Sequence, residues 1–170
     1  MENETGARIA AARRKGRCAR LYNILFPTWM FYLLPTGAWL ILLPANFIID
    51  SLVLWLAMRR IGIAERRDIW KRSILRIWGI GFLSDFIGAS LTFGLFLLVD
   101  AARISWDIYL FPGTTLFAIP GVVLSGIFIY VLDKRYAFKK CALDDTQIQK
   151  LSLALAFLTA PYAMLIPLYG

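Results

Sequence analysis

The sequence predicts an all-α, polytopic integral membrane protein: a helix bundle of four full spans with a short re-entrant or N-terminal hairpin arm. Three observations predict it. Apolar residues make up 59% of the chain and mean hydropathy is +0.65, well above the roughly 45–50% apolar usage of soluble domains. Long apolar segments alternate with short charged ones, and the 19 Lys and Arg gather at segment ends, where topology determinants sit. Six Trp, seven Tyr and twelve Phe supply the amphipathic rings that bilayer interfaces collect.

Residues 1–20 form a basic tail, with Arg8, Arg13, Arg14, Lys15, Arg17 and Arg20 set among Ala and Gly and too few large apolar side chains to pack. The acidic start, Met1-Glu2-Asn3-Glu4, leads into no short apolar core with a small-residue cleavage site, so no cleaved signal peptide is expected. Residues 21–170 form a single transmembrane helical domain. Its first part, residues 21–58, carries one formal charge, Asp50. That stretch is too long for one crossing, because about 20 helical residues cross a hydrocarbon core of ~30 Å.

Pro27, Pro35 and Pro44 divide it. Residues 21–34 would reach only about 21 Å as a helix, too short for a comfortable span, so they read as the arm. Pro35-Thr36-Gly37 supplies a turn. Residues 36–58 form the first span, with a lost backbone hydrogen bond at Pro44.

Residues 64–76 are amphipathic. At 100° per residue Ile69, Trp70, Ser73, Ile74, Ile77 and Trp78 share one half of the helix, and Glu65, Asp68, Lys71, Arg72 and Arg76 take the other. Such a helix is expected on an anionic lipid surface, or as a water-exposed linker. Residues 77–99 form the second span and residues 109–132 the third, with Pro112-Gly113 at its start and Pro120 inside. The fourth span, residues 148–169, follows a capping box made by Asp144 and Gln147, and Pro161 and Pro167 bend or end it.

Charge sets the expected sidedness. The tail holds six Lys and Arg, residues 59–76 seven, residues 100–107 only Arg103, and residues 134–150 five. Positive-inside places the three rich regions in the cytoplasm. A single crossing by residues 21–58 would put one of them outside, and a hairpin removes that conflict. The expected location is the cell membrane, multi-pass, with the N-terminus cytoplasmic and the C-terminus outside. Anionic lipids are the expected partners at Arg13, Arg14, Lys15, Arg66, Arg67, Lys71 and Arg72.

The acids give the functional lead. Asp50 lies nine residues before Arg59 and Asp85 nine residues after Arg76, which would place both carboxyls ~13 Å from the charged belt at equal depth on neighbouring antiparallel helices. Asn46, Asp50, Val53 and Ala57 form one stripe; Gly81, Ser84, Asp85, Gly88 and Thr92 form another, small enough for close approach. An ionised Asp deep in a bilayer costs roughly 2.5–3.5 kcal/mol, so facing acids would share a proton or bind a cation. The candidate intramembrane polar or ion site is therefore Asp50, Asp85, Asn46 and Ser84. The competing reading is hydrogen-bonded packing between helices, at ~0.6–2 kcal/mol per contact.

Other chemistry is disfavoured. The chain has no His, the commonest acid–base side chain and transition-metal ligand, and no nucleophile is paired with a base, so no enzyme, cofactor or metal site is expected. Cys18 and Cys141 sit among basic residues on the reducing side, with no disulfide expected. Gly79, Gly81, Gly88 and Gly94 lie in an apolar span and read as packing residues, not a phosphate loop. Trp39, Trp55, Trp78, Trp106, Tyr109, Tyr130 and Tyr169 read as interfacial belts. The net charge of +8 is spread over span ends, which points to lipid and not to nucleic acid. The first functional expectation is a protein acting by association in the membrane, as an accessory, scaffold or homo-oligomeric subunit; the alternative is a small proton- or cation-coupled transporter or channel.

Overall fold

The computed structural model describes residues 30–33, 37–102 and 112–166. Among them there are helices and no strands: α1 (Met30–Leu33), α2 (Trp39–Ile61), α3 (Arg66–Ala101), α4 (Gly113–Leu132), which runs into a π-helical turn over Asp133–Ala137, and α5 (Asp145–Leu158), followed by a 3₁₀ turn over Tyr162–Leu165. Four segments are long and apolar enough to cross a membrane: Trp39–Ile61, Arg66–Ala101, Gly113–Ala137 and Asp145–Leu165. The protein is an all-α bundle of membrane-spanning helices. The tail, most of the arm, Arg103, Trp106, Tyr109 and Tyr169 lie outside the described residues.

The four long helices run up and down in a ring. α2 packs on α3, α3 on α4, α4 on α5, and α5 closes back on α2, while α1 lies against α3. Their outward faces are apolar, as Leu40, Ile41, Leu52, Leu98, Val123 and Phe157 show, each more than half exposed. In a lipid solvent those faces carry no penalty. All twelve Lys and Arg among the described residues fall in residues 59–76 and 134–150, and the helix ends that bear them share one core.

That core is built from Leu54 and Met58 of α2, Ile69, Ile74 and Ile77 of α3, Ile129 and Phe138 around the end of α4, and Leu151 and Leu155 of α5. A smaller cluster of Tyr32, Ala89, Ala118, Val122 and Met164 fills the other half.

α2 stops where Gly62 takes a left-handed conformation, φ 81° and ψ 25°, which an L side chain adopts only with strain. The Ile63 amide then returns to the Met58 carbonyl at 3.0 Å, a Schellman-type ending that turns the chain straight into α3. At the other basic turn Asp144 caps α5 from an extended backbone, and Gln147 closes the capping box by accepting the Asp144 amide at 3.2 Å.

The expected surface helix 64–76 and span 77–99 are corrected to one continuous helix of 36 residues, about 54 Å long at 1.5 Å per residue. Its amphipathic start does not lay Ile69, Ser73, Ile74 and Ile77 on lipid. Those side chains are buried against the other helices, and only the charged half, with Arg67, Lys71 and Arg72, is exposed. Trp70 and Trp78 pack edge-on against Phe47 at 6.3 Å, and the Trp78 indole donates to the Leu43 carbonyl at 3.1 Å. Trp78 is thus an interhelical contact against the first half of α2, not a belt residue; Trp39, packed edge-on to Phe82 at 5.1 Å, also faces its neighbour.

The fourth span is shorter and broken. α5 ends at Leu158, and residues 159–161 leave the helix before the 3₁₀ turn. Pro161 has no N–H, so the Phe157 carbonyl loses its helical donor; the Tyr162 hydroxyl replaces it at 2.6 Å. The turn is tied to α4 by the Thr115 hydroxyl, which donates to the Leu165 carbonyl at 3.0 Å.

Candidate functional site

Small residues decide how α3 meets its neighbours. A Cβ added at Gly121 would sit 2.5 Å from the Gly88 carbonyl oxygen and against the Thr92 hydroxyl, so α3 and α4 cross backbone to backbone. Next to that crossing the Ser125 hydroxyl donates to the Asp85 carboxylate at 2.8 Å. The stripe expected to face α2 therefore divides. Gly88, Thr92 and Asp85 turn toward α4, and Gly81 turns toward α2, where a Cβ would lie 3.5 Å from an Asp50 carboxylate oxygen.

The Asp50 carboxylate thus meets α3 at Gly81, one turn along the helix from Asp85, whose side chain tilts back toward that same turn. Arg76, taken in the sequence as the membrane edge, is no such marker: its guanidinium points to the Ala137 carbonyl at 3.5 Å, inside the protein.

The two acids nonetheless share a space. Tyr32, Asn46, Asp50, Gly81, Asp85 and residues 158–163 line a cavity of about 230 Å³. Asp50 and Asp85 are only 5% and 3% exposed. The far wall is the broken end of α5, where irregular backbone replaces a helix face. In a membrane, backbone of that kind occurs where it is buried in protein or lines a polar cavity.

Asn46, Asp50 and Asp85 are brought together as the site residues read from the sequence. Ser84 is not on the cavity wall: it is fully buried and its hydroxyl donates to the Ile80 carbonyl at 2.7 Å, one turn back in its own helix. Sequence reasoning missed Ser125, Tyr32 and Asp133. Ser125 and Tyr32 gave no signal, since one hydroxyl in an apolar span is ordinary. Asp133 had a signal that pointed the wrong way, because an acid beside Lys134 and Arg135 reads as solvated surface. It is 0% exposed.

Outside the spans, burial pushes the Cys141 thiol up from its ordinary pKa, against the opposing pull of Arg72 and Arg76, so this cysteine is a packing residue of the basic end rather than an activated nucleophile. Among the described residues no three His, Cys, Asp or Glu side chains converge as metal ligands. No protein family, curated protein or solved structure matches this chain.

Proposed function

We propose that the chain is a small proton- or cation-coupled transporter or channel whose ion site is the cavity between α2, α3 and the broken end of α5. The observation that carries the reading is that two carboxylates, Asp50 and Asp85, line one intramembrane cavity together with Asn46. Two acids enclosed in this way are costly unless a proton, a cation or water meets them. The interrupted helix opposite them is the kind of element that transporters place at a midplane site.

Reconstituted in liposomes, the parent protein is expected to pass protons or a monovalent cation. Asp50→Asn, Asp85→Asn and the double variant should keep helicity and monodispersity while losing roughly 10²-fold or more in flux, as loss of a positioned acid–base group does. A silent parent protein, with Asn variants that only weaken assembly, would overturn the transport reading. It would support the second one, a protein acting by association in the membrane, with the acids serving packing inside the bundle as the Ser125–Asp85 hydrogen bond does.

The proposed orientation puts the basic end in the cytoplasm, with exposed Arg67, Lys71 and Arg72 and half-buried Arg66 at anionic headgroups. With Cys18 and Cys141 replaced by Ser, a cysteine at exposed Ala102 should react with an impermeant maleimide on intact cells. One at exposed Ala142 should react only after permeabilisation; the reverse pattern would refute the orientation.

A further inference from the structure

One acid is left over from the cavity. Asp133 opens the π-helical turn Asp133–Ala137 and is 0% exposed. Among the described residues neither carboxylate oxygen has a hydrogen-bond partner. π-helical turns of this kind occur often at functional sites. The charged groups around it are engaged elsewhere or lie outside. Lys134 sits over the Tyr130 ring at 5.8 Å, Arg135 over the Tyr136 ring at 5.8 Å, Arg76 of α3 points to the Ala137 carbonyl at 3.5 Å, and Lys150 of α5 is exposed. From α2 the charged group within electrostatic reach is Asp50.

The helix register places Asp133 among other unpaired polar groups. Gly126 of α4 meets Ala156 and Ala160 of α5, and counting back along this antiparallel pair sets Asp133 opposite residues 149–153, where Ser152 lies. Among the described residues, Ser152 and Ser51 also have a buried hydroxyl that finds no partner. Ser51 follows Asp50 directly and shares a face with Leu54 and Met58 of the basic-end core. Asp133 thus lies nearer the basic end than the cavity that Asp50 and Asp85 share with residues 158–163, with hydroxyls near the step between them.

Resting on the cavity reading above, we propose that the ion carried is the proton and that Asp133 is the inner relay, taking protons from Asp50 and releasing them at the basic end. Asp133 does not line the cavity and is 0% exposed among the described residues, so the step to it runs through packed side chains, which a proton crosses on hydroxyls or water and a hydrated metal ion does not. In the transfer the O–H bond of the Asp50 carboxylic acid breaks and an O–H bond forms on the Asp133 carboxylate, through water or the Ser51 and Ser152 hydroxyls. Asp50 is left as carboxylate until the cavity reloads it, and Asp133 then returns its proton to water.

The test is dye-monitored proton uptake by proteoliposomes of the full chain under an imposed membrane potential, with sodium and potassium flux measured alongside. Asp133→Asn and Asp133→Leu should lower proton flux about 10²-fold, the loss expected for a missing proton carrier. Both should stay monodisperse and helical. Asp133→Glu, which keeps the carboxyl, should return to within about tenfold of the parent, a rescue that a purely structural role would not require.

Parent proton flux that Asp133→Asn and Asp133→Leu leave unchanged overturns the relay and leaves the cavity reading standing. Sodium or potassium flux without proton flux also overturns it, again sparing the cavity. Loss of monodispersity in both variants makes Asp133 a folding group and likewise refutes the relay. A parent protein that passes nothing fails the cavity reading itself.

Discussion

Alanine at Gly121 is expected to destabilise the bundle by about 1–3 kcal/mol, the usual cost of forcing a methyl into a filled interior. The added Cβ would lie 2.5 Å from the Gly88 carbonyl oxygen and against the Thr92 hydroxyl. The oxygen belongs to the backbone of α3, which no rotamer change can move. Helix propensity works the other way, since alanine is favoured over glycine in a helix by about 1 kcal/mol, so the clash must exceed that gain. Gly88→Ala faces the same obstacle from the other side, against the Gly121 carbonyl. Gly79 and Gly94 of the same helix are internal controls: nothing among the described residues lies within 4 Å of a Cβ there, and alanine should be neutral or slightly stabilising. Thermal unfolding of the four variants in nanodiscs checks this. Equal midpoints for Gly121→Ala and Gly94→Ala would contradict the backbone crossing, and with it the placement of Asp85 beside Ser125.

Phe138→Ala should cost more, about 3–5 kcal/mol, the range for emptying a buried aromatic site. Phe138 is 1% exposed and lies beyond the π-helical turn, in the basic-end core with Ile69, Ile74 and Leu151. The loss should be local. Cleavage by trypsin after Lys139 and Lys140, both exposed, reads the opening of this region and should accelerate by about 10²- to 10⁴-fold where opening is fast and reversible. The spans should keep their helicity. Unchanged cleavage would mean that Phe138 is not the keystone its burial indicates.

The fold class was legible because a bilayer demands it: apolar segments of spanning length, charges at their ends and a capping box at Asp144 all point to the same bundle. The pairing of α2 with α3 was legible too, but the division of the second stripe between α2 and α4 was not. Arg76 looked like a depth marker, yet its side chain serves the Ala137 carbonyl, and the bundle continues past it. The amphipathic start of α3 shows why. Periodicity identifies an apolar face but not whether lipid or protein covers it, and here Leu54, Met58 and Phe138 cover Ile69 and Ile74. At the cavity, Asn46, Asp50 and Asp85 were recoverable as polar groups in apolar spans. The wall made by residues 158–163 was not, because Pro161 announces a break without saying what the break faces.

The uninterrupted length of α3 has a mechanical side. At about 54 Å it outreaches a hydrocarbon core of ~30 Å, and the 36 residues from Arg66 to Ala101 contain no break that could serve as a hinge. Arg67, Lys71 and Arg72 stand at one end of a stiff rod that carries Gly81 and Asp85 farther along it. A load on those three side chains, from headgroups or a docked protein, is borne by the whole rod as a torque, and a tilt imposed at the membrane surface shifts one wall of the cavity relative to the wall that holds Asp50.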